Sequence, residues 1–317
     1  MRASAICVGL FAPHLSRLRM GEPALTVVVP SVNGLGDLVG CLAALERQRS
    51  DVDLEVLVAD RCGAAVRDET RRRFPWVRIL DAAPGTTIPD LRAMAFAAAK
   101  GRSVAVIEDH VIVPDGWARA LVDAQGDAEM VVGGAIENAA VTRLVDWAAF
   151  LCEYSHCIPP LPEGQSDWLP GNNVIYPRTL LARYDSALGR GQWENRLHDA
   201  MRRDGVPLVC RPEISVGHKK HYTVGEYLSQ RYLYARSYAG ARVADASLGK
   251  RLGYGAAALA LPPLLMYRTV SRVVSKRRHR AELVRSLPLL AVFVVSWALG
   301  EMVGYVAGPG DSLAKVC

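Results

Sequence analysis

The sequence predicts a mixed α/β fold, a mainly parallel sheet flanked by helices, with hydrophobic membrane-associated helices at its C-terminal end. Three observations predict it. From Leu25 onward, short β-branched apolar runs alternate with stretches of helical periodicity, which is the pattern of parallel strands joined by crossover helices. Polar residues able to do chemistry stand directly after three of those runs, where parallel sheets collect their ligands. Half of the residues are hydrophobic, and the longest apolar stretches lie beyond residue 250.

The first unit is the clearest. Leu25 to Val29 reads as a buried strand ended by Pro30, and after a loop from Ser31 to Gly36, Asp37 is placed to cap a helix whose Leu38, Cys41, Leu42 and Leu45 share one face. Leu54 to Ala59 is the next strand and Val77 to Leu80 another. Asp90 to Lys100 reads as a helix closed by Gly101, and Val104 to Ile107 as a fourth strand that runs straight into Glu108-Asp109-His110. From about 140 to 225 the periodicity is less regular and aromatic, Pro and Gly residues increase. This stretch holds Trp147, Tyr154 and Trp168, then Pro170-Gly171-Asn172-Asn173, and a helix from about Trp193 to Asp204 stopped by Gly205. A Tyr-rich helix follows 225, then two apolar stretches, Tyr254 to Met266 and Leu287 to Gly308. The first is broken by Pro262-Pro263 and the second contains Glu301. The expected organisation is a leader over 1–23, poorly ordered, a catalytic domain over 24–240, and a basic, hydrophobic membrane-associated region over 241–317.

The formal net charge of +6 is unevenly spread, with basic residues bunched at 67–73 and 268–285. That weighs against a general nucleic-acid surface. The second cluster, Arg268, Arg272, Lys276, Arg277, Arg278, Arg280 and Arg285, lies between the apolar stretches and suits anionic lipid headgroups. The seven cysteines show no C-x-x-C and no zinc-like spacing, so neither a disulfide framework nor a structural zinc site is indicated and a reducing compartment fits.

On an extended backbone alternate side chains share a face, so Glu108 and His110 can address one site while Asp109 points elsewhere. A carboxylate with an imidazole is able to hold Mn2+ or Mg2+ beside a diphosphate. Asp109 stands as a second candidate ligand. His218, just after the apolar Ile214-Ser215-Val216 run, is a further candidate.

These motifs, in order, resemble those of family-2 glycosyltransferases with the glycosyltransferase A fold, over about Thr26 to Tyr238. The resemblance rests on Val29-Pro30-Ser31-Val32-Asn33, on the Cys41-Leu42-x-x-Leu45 helix ending in Gln48, and on Val58-Ala59-Asp60. It continues through an Arg-bearing helix, the acidic turn, the Gly171-Asn172-Asn173 to Arg178 segment and Trp193-Glu194. It implies that Asp60 receives the nucleotide base in a loop lined by Pro30, Ser31 and Asn33, and that Arg92 lies near the donor phosphates. Glu108, Asp109, Gly171 and Asn172 would line the donor site. The acidic turn departs from the usual Asp-x-Asp, and the Asp-x-His turn of polypeptide N-acetylgalactosaminyltransferases makes His110 the favoured ligand.

The resemblance further implies that the base for inverting transfer opens the helix after the Gly-Asn segment. Glu194 is the carboxylate there and Asp199, about one turn on, is the fallback; a favourable charge on a helix N-terminus is the competing role for Glu194. Gln230-Arg231-Tyr232-Leu233-Tyr234 lacks the Arg and Trp of the processive Gln-x-x-Arg-Trp pattern, which points to transfer of a single sugar.

The expectation is therefore a membrane-associated, metal-assisted enzyme facing the cytoplasm. It would move one sugar from a nucleotide-sugar donor, a UDP-sugar, to a small or lipid-linked hydroxyl acceptor. A catalytically silent sugar-nucleotide-binding scaffold is the rival. A nucleotidyltransferase ranks lower, because the loop after the first strand carries Gly34 and Gly36 but no Lys or Arg. For the apolar region the expected attachment is monotopic, with the Pro-broken stretch in the interface.

Overall fold

The computed structural model describes residues 21–184 and 193–317. The leader expected over 1–23 lies, up to residue 20, outside the described residues. Among the described residues nine strands form one sheet: β1 (Leu25–Ser31), β2 (Leu54–Asp60), β3 (Arg78–Asp81), β4 (Ser103–Val106), β5 (Val111–Ile112), β6 (Val131–Asn138), β7 (Gly164–Gln165), β8 (Val174–Pro177) and β9 (Leu208–His218). Their order is β3-β2-β1-β4-β8-β6-β9-β5, with β7 pairing β9. The β3-β2-β1-β4 half is parallel, β8 runs antiparallel to both β4 and β6, and β6 is parallel to β9.

The helices between them are α1 (Leu35–Glu46), α2 (Ala64–Arg73), α3 (Ile88–Ala98), α4 (Trp117–Gln125), α5 (Leu144–Tyr154), α6 (Arg178–Arg183) and α7 (Glu194–Arg203). Apolar runs became strands because both sheet faces are covered: all seven residues of β1 are buried. One core lies on the α1, α4 and α5 side and a second on the α3, α6 and α7 side.

Several boundaries differ from expectation. α1 starts at Leu35 behind Gly34, whose φ of 86° suits glycine, so Asp37 lies in the first turn instead of capping it and pairs with Lys220 Nζ at 2.8 Å. α3 starts two residues earlier than Asp90, because Thr87 caps it and accepts from the Asp90 backbone N–H. Gly101 is required by proximity: a Cβ there would lie 2.7 Å from the Leu25 carbonyl carbon and the Thr26 hydroxyl.

Beyond β9 come α8 (Val224–Arg242), opened by a Thr223/Glu226 capping box, α9 (Leu248–Ala257), α10 (Leu261–Lys276) and α11 (Arg280–Ala307). α11 is long and apolar enough to cross a membrane, yet half of its most apolar window is buried against the protein. A glycine pair seats it on α8. A Cβ at Gly300 or Gly304 would meet the backbone oxygens of Tyr232 or Arg236 and lie 2.9 Å from Ala235 Cβ or Ala239 Cβ. The opposite side of α11 leaves Val284, Val292, Val295, Leu299 and Val306 exposed.

The basic turn between α10 and α11 does not present all its charge to the outside. Lys276 Nζ donates to the carbonyls of His156 and Ile158, and Arg278 pairs with Glu137 at 2.8 Å. Burial is the main reason the Lys276 ammonium is pushed down to about 8. Two members of the cluster read as a lipid surface are thus spent on docking the helical hairpin to the domain.

Candidate active site

The site is built at the carboxyl edge of β1, β2 and β4. β4 ends at Val106, and the chain turns back at Glu108-Asp109-His110 before the short β5 pairs with β9 and brings His218 alongside, with Val111 opposite His218. His110 Nε2 lies 2.9 Å from His218 Nε2 and 3.3 Å from a Glu108 oxygen. Glu108, His110 and His218 can each offer one ligand atom within 4.8 Å of the others.

This triad fits a divalent ion. Two nitrogens held about 2.1 Å from one ion at adjacent positions stand about 3 Å apart, close to the separation between the imidazoles. An open set of two imidazoles and one carboxylate leaves positions for phosphate oxygens and suits Mn2+ better than Mg2+, which prefers oxygen. Burial opposes charge on His110, but the Asp109 and Glu108 carboxylates outweigh it and raise the imidazole to about 9. Burial, then the His110 charge, lowers His218 to about 3, leaving it neutral and ready to ligate.

Asp109 does a different job from the one weighed for it. Its Oδ2 accepts from the Val32 and Asn33 backbone N–H groups at 2.8 and 2.9 Å, and its Oδ1 accepts from the Asn33 amide at 2.7 Å. With both oxygens so engaged and the residue fully buried, Asp109 anchors the loop after β1 to the turn and stands outside the ligand triad. Asn33, expected to line the donor site, is thereby fixed in place against the turn.

Glu108 is held from three sides. The Asn172 amide donates to its Oε2 at 2.9 Å, the Tyr154 hydroxyl lies 3.4 Å from the same oxygen, and Arg92 lies 3.6 Å from Oε1. Arg92 is buried and forms an ion pair with Glu194, so one guanidinium ties the metal-side carboxylate to the opening residue of α7. Gly171 makes room for that pairing: a Cβ there would sit 2.8 Å from the Glu194 carboxylate. Asn173 carries structure instead, its amide bonding the carbonyls of Ala135 and Ile214 while its oxygen accepts from the Trp117 indole.

Arg92, Glu108, Gly171, Asn172 and Glu194 line one cavity of about 310 Å³, together with the aromatic residues Tyr154, Trp168, Trp193, Tyr234, Tyr238 and Trp297. Asp199 does not join them. It is exposed on the outer face of α7 and paired with Arg202 at 3.5 Å, because five residues along a helix rotate it by about 140° from Glu194, which faces the cavity.

Asp60 is buried at the end of β2, accepting from the Ser31 hydroxyl at 2.8 Å, from Gly63 N–H at 3.2 Å and from Arg67 at 3.2 Å. Pro30 and Asn33 line a small cavity of about 30 Å³ that also reaches His110 and His218, and Cys317 closes it. The closure was not foreseen. Arg61 donates to the carbonyls of Thr86, Ala314 and Val316, pinning the segment from Ser312 to Cys317 across this crevice.

The chain matches no protein-family profile and no curated protein sequence. In three dimensions it is similar to a mannosyltransferase from Pyrobaculum calidifontis, solved with GDP-Man and Mn2+: 13% identity, 89% of this chain and 88% of that one covered, TM-score 0.53. It is also similar to the 1–349 portion of TarS from S. aureus, solved with UDP-GlcNAc, at 13% identity, 88% and 90% coverage and a TM-score of 0.49. The first of these likenesses establishes the fold as that of the glycosyltransferase A enzymes, a mainly parallel α/β sheet flanked by helices.

Proposed function

We propose that this chain is an inverting glycosyltransferase that moves a single sugar from a UDP-linked donor to the hydroxyl of a small or lipid-linked acceptor, at a membrane surface. The observation that carries the reading is the convergence of Glu108, His110 and His218 at the sheet edge, joined through Arg92 to Glu194 in an adjoining aromatic cavity. A divalent ion held by Glu108, His110 and His218 would neutralise the diphosphate that leaves. Mn2+ suits the two imidazoles, and the fold's mannosyltransferase neighbour was solved with Mn2+.

The chain's own residues supply the rest. Asp60, whose oxygens already accept from Ser31, Gly63 and Arg67, would receive a base N–H as one further donor, and the Pro30 to Asn33 loop, locked by Asp109, would form one wall of the nucleotide crevice. Arg92 adds a fixed positive charge between the two halves of the site. Glu194 faces the cavity as a carboxylate and takes the proton of the acceptor hydroxyl as its oxygen attacks the anomeric carbon. Glu153 lines the same cavity, but burial raises its carboxyl above the usual range, whereas Glu194 is paired with the Arg92 guanidinium. Trp193, stacked on Tyr234 with ring centroids 4.5 Å apart, and Trp168 give flat apolar surfaces for sugar rings. The segment from Ser312 to Cys317 must lift from the crevice for the donor to enter, which makes it a closing flap over the base. Attachment is monotopic: α11 rests on α8 through its glycines and turns its other face to the lipid.

The test is release of UDP from a panel of UDP-sugars with Mn2+, for the native chain and for Glu194→Gln. Turnover of one donor that falls at least a hundredfold in the variant, with UDP affinity retained, supports the reading. Donor binding with no turnover by the native chain, on water or on any acceptor offered, favours a silent nucleotide-binding protein.

A further inference from the structure

The aromatic cavity does not end at the catalytic residues. Tyr238 of α8 and Trp297 of α11 form its far wall, and the same two residues line a second cavity of about 350 Å³ between α8, α9, α10 and α11. This outer cleft combines apolar walls, Ala257, Ala258, Leu261 and Leu265, with three arginines, Arg231, Arg242 and Arg268.

Arg231 is the informative one. Its guanidinium stacks on the Trp297 ring at 4.0 Å and its Nε has no hydrogen-bond partner; the acid that feels its charge, Glu153, makes no direct ion pair with it among the described residues. A half-buried guanidinium with no directly paired carboxylate keeps capacity for an anion, because charge drawn partly out of water is stabilised by a counter-charge at contact distance. The acid in the cleft, Glu301, does not serve: its two oxygens accept from the Trp297 indole and the Tyr305 hydroxyl, at 2.7 and 2.8 Å. Arg242 is held by the Tyr305 hydroxyl at 2.6 Å and Arg268 is exposed. The cleft therefore presents more positive than negative charge beside apolar walls, on helices that also carry exposed Leu252, Leu259, Leu264 and Tyr267.

We infer that this cleft binds the phosphate head of a long-chain lipid, with Arg231, Arg242 and Arg268 on the phosphate and the hydrocarbon chain leaving between α9 and α10. Charge complementarity selects an anionic head, and the apolar walls select an amphiphile over a free anion. Tyr238 and Trp297, shared by both cavities, set the cleft beside the catalytic cavity, so the bound lipid would be the carrier of the acceptor hydroxyl; that assignment rests on the glycosyl transfer proposed above. Part of the basic charge at 268–285 then has a local use: Arg268 guards the cleft.

The experiment is equilibrium binding of farnesyl phosphate, farnesol and inorganic phosphate to the full chain in neutral detergent, read by tryptophan fluorescence and confirmed by calorimetry. Farnesyl phosphate is expected to bind saturably and at least tenfold more tightly than either of the others. Arg268→Gln, an exposed position, is expected to weaken it several-fold, and Arg231→Gln at least tenfold. Equal affinity for farnesol shows a plain hydrophobic sink, equal affinity for inorganic phosphate shows a bare anion site, and unchanged affinity in both variants shows binding elsewhere; each overturns the inference. UDP titrated with Mn2+ into the same samples separates the two readings. Loss of lipid binding with UDP binding intact sinks only the cleft, whereas absent UDP binding with the lipid selectivity intact sinks the transferase reading and leaves the cleft standing.

Discussion

Gly171→Ala isolates the position of Glu194 from its chemistry. The added Cβ would lie 2.8 Å from Glu194 Oε2, 3.1 Å from Cδ and 3.2 Å from Cγ, all closer than an ordinary contact. The carboxylate must retreat by about half an ångström to restore van der Waals distance, and the buried Arg92 that clasps it limits where it can go. Misplacement of a reacting group by about 1 Å costs on the order of a hundredfold, so kcat should fall about 10- to 100-fold, or about 1.4–2.7 kcal/mol of barrier. Gly171 is not among the glycines with positive φ, so alanine suits its backbone and the melting temperature should move by no more than about 4 °C. The assay is UDP release at saturating donor, with KM measured alongside and Gly225→Ala as control, since nothing lies within 4 Å of a Cβ there. Full kcat in Gly171→Ala would refute the placement of Glu194 as the proton acceptor. A loss matched by a collapse in melting temperature would refute the argument from position.

Three further outcomes follow from other parts of the molecule. His110 holds its proton more tightly folded, at about 9, than in the unfolded chain, near 6.5. Its contribution to metal-free stability is therefore complete below about pH 6.5 and lost as pH rises through 9. Mn2+ must displace that proton, so calorimetry should show affinity rising about tenfold per pH unit between 7 and 9, and a flat profile would contradict the assignment of His110. Gly304→Ala forces a methyl against the Arg236 carbonyl and Ala239, and should destabilise the chain by about 1–3 kcal/mol in chemical unfolding while Gly253→Ala is neutral; equal stability would show that α11 is not seated as described. Arg61→Ala removes the clasp on Ala314 and Val316, and donor KM should fall several-fold; an unchanged KM would show that the 312–317 segment does not compete with the donor.

The strands of the parallel half were legible because burial on both faces leaves unbroken apolar runs, as at Leu25 to Val29 and Val104 to Ile107. β6, the four-residue β8 and the two-residue β5 and β7 were not read. β6 contains Gly133 and Gly134, which the packing of Leu169 and Ile214 requires but which weaken any strand signal, and two residues carry no periodicity. At the site, Glu108 and His110 come together although the strand ends at Val106 and the three residues form a turn, so the proximity is a property of that turn and not of strand alternation. What Asp109 holds was invisible, because its partners are more than 70 residues away in sequence. The Arg92 to Glu194 bridge, the Arg61 clasp and the Arg231 stack on Trp297 are likewise made by chain segments that only the fold brings together. The apolar stretch of α11 was open to two readings for a physical reason: a helix facing lipid and a helix facing protein both require apolar side chains, and only the glycine contacts with α8 tell which face packs on the protein.

The central claim is that Glu108, His110 and His218 hold the ion that meets the donor diphosphate. Pulsed electron paramagnetic resonance of Mn2+ with the full chain and UDP tests it most directly. Nitrogen couplings from two imidazoles are expected, reduced to one in His218→Ala or His110→Ala, together with phosphorus coupling from UDP. A spectrum of aquated Mn2+ with phosphorus coupling alone, unchanged in both variants, would contradict it.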